Sequence, residues 1–131
     1  MTGKSNVIVV IPHYNNLEGL VRSLESIDEH VDVLVWDDGS PFDVTKDVMH
    51  GMYPHLNLTV LTSNRNLGIE YSLEQCIEYS VQHNYKYFAR LDAGDEVVGN
   101  RFQIQSEMLE QNENLVLVGC KVQFVNEVGN E

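Results

Sequence analysis

The sequence contains few of the residues that mark specialised protein classes. Only two cysteines occur in 131 residues, Cys76 and Cys120, which excludes a disulfide framework and a cysteine-based metal motif and favours two buried thiols in a reducing compartment. Lysine and arginine total 8 against 20 aspartates and glutamates, a net charge of −12. No nucleic-acid partner is expected, because binding to phosphate backbones needs an excess of cations. A phosphate ligand would need a local device, such as a bound metal.

Long apolar runs and the common dinucleotide and triphosphate motifs are also missing. No segment approaches the length of a membrane span, and the apolar run ending at Pro12 is too short for a signal peptide. Neither a Gly-x-Gly-x-x-Gly motif nor a Walker loop occurs, so the main sequence evidence for a dinucleotide-dependent dehydrogenase or a P-loop NTPase is missing. We therefore expect a cytoplasmic protein, which a partner or a further region would tether to the inner face of the membrane.

What the sequence does contain is a regular alternation of strand-like and helix-like segments. Short apolar runs predict the strands, and this order implies the α/β class, with a mostly parallel central sheet flanked by helices in a single domain over residues 1–131. The predicted strands are Val7–Ile11, Val31–Trp36, Leu58–Leu61, Tyr87–Leu91 and Leu115–Phe124.

Helices are predicted between these strands. Asn15 or Asn16 caps the first, a short one covers Val44–Met52, and Asn100 caps the last, which carries Phe102, Ile104, Met108 and Leu109. The long helix between them has a predicted inner stripe of Ile69, Leu73, Cys76, Ile77, Ser80 and Val81.

Polar clusters follow each of the first four predicted strands, at Pro12–Asn16, Asp37–Ser40, Asn64–Gly68 and Asp92–Asp95. In open α/β sheets, ligands bind at the carboxyl ends of the strands, so the four clusters are expected to face one crevice. Turns need polar residues, but not this concentration of carboxylates. The sequence therefore predicts a binding site at this edge of the sheet.

Asp37 and Asp38 directly follow a predicted buried strand, and several interpretations of them stay open. They can form an ordinary turn in which one Asp accepts backbone hydrogen bonds. Alternatively, one accepts a hydrogen bond from a base or ribose while the other holds the loop, because successive residues point in opposite directions. A receiver-type or phosphohydrolase domain would use them on Mg²⁺, but Lys86 and Lys121 are badly placed to complete that site.

Asp92, Asp95 and Glu96 crowd a short loop that also contains Gly94. Carboxylates this close repel one another, which a divalent cation between them would relieve. Oxygen ligands of this kind suit Mg²⁺ or Mn²⁺ rather than zinc. A solvated acidic turn is the alternative interpretation of the same residues.

Taken in order, these segments resemble the family 2 glycosyltransferases of the GT-A fold, whose nucleotide-binding domain is Rossmann-like. The resemblance rests on VIVVIPHYNN from Val7, VLVWDDGS from Val33, NRNLG from Asn64 and ARLDAGD from Ala89. It implies transfer of a sugar from a nucleoside diphosphate sugar to a carbohydrate or lipid-linked acceptor hydroxyl, with inversion and with a divalent cation, Mn²⁺ or Mg²⁺. Polysaccharide biosynthesis is the process it suggests.

The resemblance also implies roles for individual residues. Tyr14 lies by the nucleobase, next to Pro12, and Asp38 contacts the base. Arg65 belongs to a loop that contacts the donor. Asp92 binds the ribose and, with Asp95, the metal on the diphosphate. Gly94 stands where the usual motif has its central metal-binding Asp, which leaves the ligand set open.

Members of this family usually continue into a second region that supplies the acceptor site and the catalytic base. This chain ends soon after its fifth predicted strand, so we expect a donor-binding part without the acceptor region. No catalytic residue can be named from it. The alternative function is a non-catalytic nucleotide-binding module.

Overall fold

The computed structural model describes residues 5–48 and 52–125. Four strands form one sheet in the order β3-β2-β1-β4, and every neighbouring pair is parallel. The strands are β1 Val7–His13, β2 Val31–Asp37, β3 Leu56–Thr62 and β4 Tyr87–Arg90. The helices are α1 Leu17–Glu25, α2 Val44–Asp47, α3 Ile69–Gln82 and α4 Arg101–Gln111. The predicted α/β class, with a parallel sheet flanked by helices, is confirmed.

β1 lies inside the sheet, and all seven of its residues are buried. Its alternate side chains enter two separate cores. Val9 and Ile11 pack with residues of α1, α2 and α4 on one face, while Ile8 and Val10 pack with Cys76 of α3 on the other. A strand covered on both faces has to be a continuous apolar run, which is how this segment reads in the sequence.

The fifth predicted strand, Leu115–Phe124, is wrong. Residues 112–125 form no helix or ladder, and most of their apolar side chains are exposed, with Val116 92%, Leu117 83% and Phe124 87% exposed. β4 lies at one edge of the sheet, and within the described part of the chain it pairs with β1 alone. Apolar alternation indicates a segment that gains from being covered, but a strand also needs a neighbour for its backbone groups.

The buried face of α3 differs from the predicted stripe. Its buried residues are Ser72, Cys76 and Ser80, spaced four apart, whereas Ile77 is 42% and Val81 69% exposed. The hydroxyl of Ser80 donates to the carbonyl of Cys76 at 2.7 Å, so a small polar residue is satisfied within the helix while it faces the sheet. Ile69, also assigned to the stripe, is 51% exposed.

The two cysteines do not share the predicted burial. Cys76 is buried, and burial raises the pKa of its thiol to about 12, which makes it an unreactive packing residue. Cys120 is exposed, because it belongs to the segment that does not form the fifth strand.

Of the two predicted caps of α1, Asn16 is the one used, and its side chain accepts the N–H of Gly19 at 3.1 Å. α2 ends at Asp47, earlier than predicted, and residues 49–51 of the predicted helix lie outside the described residues. None of the described helices is long and apolar enough to cross a bilayer.

The N-terminus of α4 is capped by a residue from another part of the chain. Asn100 occupies the cap position but makes no side-chain capping bond. The carboxylate of Glu29 instead accepts the N–H groups of Phe102 at 3.0 Å and Gln103 at 2.8 Å. This contact ties α4 to the loop between α1 and β2, and Phe102 then enters the core of that face.

Replacement of Glu29 by alanine is expected to lower the free energy of unfolding by about 1–2 kcal/mol, because two N–H groups of α4 lose their acceptor and the helix dipole loses a compensating charge. Urea denaturation followed by circular dichroism measures the change. Asp28→Ala removes an exposed carboxylate next to it and is the matched control. Equal stability of the two variants would contradict the capping role.

Candidate functional site

The loops that follow β1, β2 and β3 are hydrogen bonded to one another at the carboxyl edge of the sheet. The N–H of Asp38 donates to the carbonyl of His13 at 2.8 Å, and the N–H of Ser63 donates to the carbonyl of Asp37 at 2.8 Å. The loop that follows β4 is attached to α1, which itself begins just after β1. The four polar clusters therefore share one edge, as their positions after parallel strands predict.

Asp37 is fully buried and is used to hold this edge together. Its Oδ1 lies 3.1 Å from Nδ1 of His13 and accepts the hydroxyl of Ser40 at 2.5 Å. The backbone N–H of Ser40 approaches the same carboxylate at 3.3–3.4 Å. A carboxylate this buried needs such donors, and Asp37 therefore helps to hold the turn after β2.

Asp38 points in the other direction and binds the loop that precedes α3. Its Oδ1 accepts the N–H of Leu67 at 2.9 Å, and its Oδ2 accepts the N–H of Gly68 at 2.8 Å. The residue is 5% exposed. Each oxygen keeps a second lone pair, so the carboxylate can accept further donors only from the open side of the turn.

Gly39 lets the turn after β2 and the loop after β3 come into direct backbone contact. Its φ is +77°, and a Cβ built on it would lie 2.5 Å from the carbonyl carbon of Arg65 and 2.8 Å from the nitrogen of Asn66. A side chain there would force the two loops apart. The side chain of Arg65 is exposed on the outside of this contact.

Tyr14 leads the turn after β1 and is 48% exposed, whereas the residues around it are tied down. The N–H of Asn15 donates to Oγ of Ser40 at 2.8 Å, and the N–H of Asn16 lies 3.0 Å from Nε2 of His13. Pro12, the residue before the last in β1, is buried. An exposed aromatic ring on a fixed backbone is suited to stacking.

The backbone from Asp92 to Val97 is held by Ser23 of α1 and by Ser26, the residue that follows this helix. The hydroxyl of Ser23, which is fully buried, accepts the N–H of Gly94 at 2.9 Å and donates to the carbonyl of Asp95 at 2.7 Å. The hydroxyl of Ser26 accepts the N–H of Val97 at 2.9 Å. Gly94 has a φ of +103°, a conformation that glycine adopts without strain.

Arg90 forms a two-point ion pair with Asp92 beside this loop. Its Nε lies 2.8 Å from Oδ1 and its second guanidinium nitrogen 3.2 Å from Oδ2, with both side chains 48% exposed. The hydrogen bonds to Asp92 raise the pKa of Arg90 above its usual value, partial burial lowers it, and the negative charges of Asp92 and Asp95 raise it. This cation offsets part of the repulsion among the carboxylates.

A cavity of about 430 Å³ lies at the opposite end of the sheet, against the first residues of β1 and β2. Asp28, Glu29 and His30 line it, and the carboxylate of Glu29 is already used by α4. None of the predicted site residues borders this cavity, so the carboxyl edge remains the candidate site.

Residues 8–131 match the family described as Glycosyl transferase family 2. The chain belongs to this family. Among its relatives, it is 28% identical over 119 residues to the bifunctional glycosyltransferase pgtA of Dictyostelium discoideum, covering 87% of this chain and 16% of that protein. It is 30% identical over 135 residues to an uncharacterized glycosyltransferase of Rickettsia bellii, covering 95% of this chain and 18% of that protein.

Solved structures of glycosyltransferases share the fold of this family 2 domain. The crystal structure of S. aureus TarS matches 80% of this chain and 19% of its own, with a TM-score of 0.65 and 20% identity. The mannosyltransferase PcManGT from Pyrobaculum calidifontis, in complex with GDP-Man and Mn²⁺, matches 60% of this chain and 25% of its own, with a TM-score of 0.51 and 23% identity. The fold is of the GT-A type. The chain spans only 16% and 18% of the length of the Dictyostelium and Rickettsia relatives.

Family membership supports a glycosyltransferase over the receiver-type and phosphohydrolase alternative. Neither acid of the Asp37-Asp38 pair is presented for phosphorylation, because both are buried and bonded to protein donors. The residues that the sequence interpretation missed are His13, Ser23 and Ser26. The sequence indicates a hydrogen-bond partner for Ser23 and Ser26 only because both are polar residues on the inner side of α1 and its C-terminal end.

Gly39→Ala is expected to lower the free energy of unfolding by about 1–3 kcal/mol more than Gly99→Ala, because the new methyl group meets the backbone of the neighbouring loop. Both glycines have positive φ, +77° and +66°, but no described heavy atom lies within 4 Å of a Cβ at Gly99. Urea denaturation measures the difference. If the two variants are equally stable, the close approach at Gly39 is not required.

Proposed function

We propose that this chain forms the donor-binding part of an inverting, metal-assisted glycosyltransferase that takes its sugar from a nucleoside diphosphate sugar. The observation that carries the proposal is the shared edge itself, where an exposed Tyr14, the Asp38 turn and the Asp92–Asp95 loop meet at the carboxyl ends of a parallel sheet. Ligands of open α/β sheets bind at this edge. Membership of a glycosyltransferase family supplies the class of reaction.

The nucleobase is proposed to stack on Tyr14, above the buried end of β1 that contains Pro12. Nearly half of the tyrosine is exposed, and aromatic faces accept any base. Asp38 would accept a donor of the base through its remaining lone pairs while it holds the N–H groups of Leu67 and Gly68. Arg65, exposed on the adjoining loop, would contact the donor.

The residues of the Asp92–Asp95 loop fit a divalent cation that is shared with the diphosphate. No group of three His, Cys, Asp or Glu side chains that could hold a metal occurs among residues 5–48 and 52–125. Mg²⁺ and Mn²⁺ accept oxygen ligands, and Mg²⁺ is commonly held by one or two carboxylates together with substrate phosphates. Asp92 and Asp95 would supply that pair, and PcManGT, with the same fold, is seen in complex with GDP-Man and Mn²⁺.

The cation, when bound, would stabilise the negative charge that develops on the departing diphosphate. The proposed role of this chain is to bind the donor in a fixed position, in which that charge can be stabilised. Arg90 keeps the carboxylate of Asp92 in place by its two-point contact. Ser23 and Ser26 keep the backbone of the loop in place, so that little reorganisation is needed when the donor enters. The acceptor and the catalytic base are assigned to no residue of this chain.

Nucleotide and metal are expected to stabilise the protein together. Uridine, guanosine or thymidine diphosphate at about 100 times its dissociation constant should add about 2.7 kcal/mol to the free energy of unfolding, seen as a higher melting temperature. Mn²⁺ should increase the effect, and Asp92→Asn or Asp95→Asn should remove the part that depends on metal. Glu96→Gln, an exposed carboxylate of the same loop, is the matched control.

The donor-binding proposal fails if no nucleotide raises the melting temperature under any metal condition. Loss of the metal effect in Glu96→Gln to the same degree as in Asp95→Asn would show that the loop acts only through its total charge.

Turnover separates an enzyme from a non-catalytic nucleotide-binding module. An active chain is expected to transfer the sugar from the nucleoside diphosphate to an acceptor hydroxyl or to water, so that the nucleoside diphosphate is released and the anomeric configuration of the sugar product is opposite to that of the donor. Nuclear magnetic resonance of the sugar product measures both. Binding of the nucleotide without any release of the sugar would favour the module, and retention of configuration would contradict inversion.

A further inference from the structure

His13 is a buried histidine whose two ring nitrogens are both hydrogen bonded. It ends β1 and is paired in register with Asp37, which ends β2. Its Nε2 lies 3.0 Å from the backbone nitrogen of Asn16, and its Nδ1 lies 3.1 Å from Oδ1 of Asp37. A backbone N–H can only donate, so Nε2 must present its lone pair. The proton of the neutral ring is therefore on Nδ1 and is donated to the carboxylate.

A second series of hydrogen bonds connects Asp37 to the same turn, which carries Tyr14. Oγ of Ser40 donates to the same Oδ1 of Asp37 at 2.5 Å and accepts the N–H of Asn15 at 2.8 Å. The N–H groups of the two residues after Tyr14 thus both lead to one carboxylate oxygen. The N–H of Asn16 is linked to it through the imidazole of His13, and the N–H of Asn15 is linked to it through the hydroxyl of Ser40.

The turn needs these tethers because its backbone is in a sparsely populated conformation. Asn15 has a φ of +47°, in the left-handed region that few residues other than glycine adopt. The imidazole is fully buried and its edge contacts Phe42, with ring centroids 6.0 Å apart, so its orientation is fixed. The ring of Tyr14, by contrast, is open to a ligand.

We infer that His13 is a positioning residue for the nucleobase: as the neutral Nδ1–H tautomer, it links the N–H of Asn16 to Asp37 and thereby fixes the turn on which Tyr14 is presented. The inference rests on the proposed function, because it assigns Tyr14 to the base of the donor. His13 itself is buried behind the turn and acts through the backbone, so it touches no ligand.

Two measurements on the whole chain test this role. The first is the ¹⁵N spectrum of the His13 ring in the absence of nucleotide, which is expected to show a protonated Nδ1 and an unprotonated Nε2 at neutral pH. The opposite tautomer, or a doubly protonated ring, would overturn the inference whether or not the chain binds nucleotide.

The second measurement is the dissociation constant of the nucleoside diphosphate for matched variants at His13. His13→Leu removes the acceptor and the donor and should weaken binding about tenfold, the effect of losing roughly one hydrogen-bonded tether of the turn. His13→Gln carries an oxygen for Asn16 and an NH₂ group for Asp37, so it should recover most of the affinity. His30→Leu changes an exposed histidine away from the site and should leave the dissociation constant unchanged.

The outcomes distinguish the two proposals. Equal nucleotide affinity of the wild type and His13→Leu overturns the role of His13 and leaves the donor site standing. A wild type that binds no nucleotide overturns the donor site, and the role of His13 with it. If His13→Leu does not fold, a folded His13→Gln that binds about tenfold more weakly than the wild type, or worse, counts against the inference, and near-normal affinity supports it.

Discussion

Two buried carboxylates hold together the loops at the carboxyl edge of the sheet. Asp37 and Asp38 are 0% and 5% exposed, and burial of either carboxylate without hydrogen-bond donors would strongly destabilise the fold. Asp37 is bonded to His13 at the end of β1 and to Ser40 in the turn after β2, and Asp38 accepts N–H groups of the loop before α3. The geometry of three loops therefore depends on one pair of adjacent acids.

The fourth loop is held by a different interaction, between its backbone and α1. Ser23 and Ser26 satisfy the N–H groups of Gly94 and Val97, so the carboxylates of Asp92 and Asp95 do not have to stabilise their own loop. They stay at the surface, where Arg90 offsets some of their charge. In the proposed donor site these carboxylates are therefore available to a cation, whereas acids that stabilise their own loop would not be.

The difference between the two motifs matches the roles proposed for them. The acids after β2 are buried and shape the turn that presents Tyr14, and the acids after β4 are half-exposed or exposed. A base site needs a rigid surface for stacking, whereas a metal on a diphosphate needs carboxylates that can exchange partners. Buried carboxylates with satisfied hydrogen bonds make the turn rigid, whereas carboxylates in contact with solvent can exchange their partners.

The α/β class, the parallel pairing and the meeting of polar clusters at one edge follow from the sequence itself, because apolar runs such as Val7–Ile11 bury both faces and the clusters follow such runs directly. The strand order β3-β2-β1-β4 is known only from the structure. The buried face of α3, the capping of α4 by Glu29 and the exposure of Leu115–Phe124 were decided only by the tertiary structure. So were the hydrogen-bond partners of Asp37, Asp38 and His13, which the sequence left open. Periodicity reports which residues gain from burial, but a hydrogen bond depends on distance and direction between residues far apart in the chain, and only the folded backbone sets those.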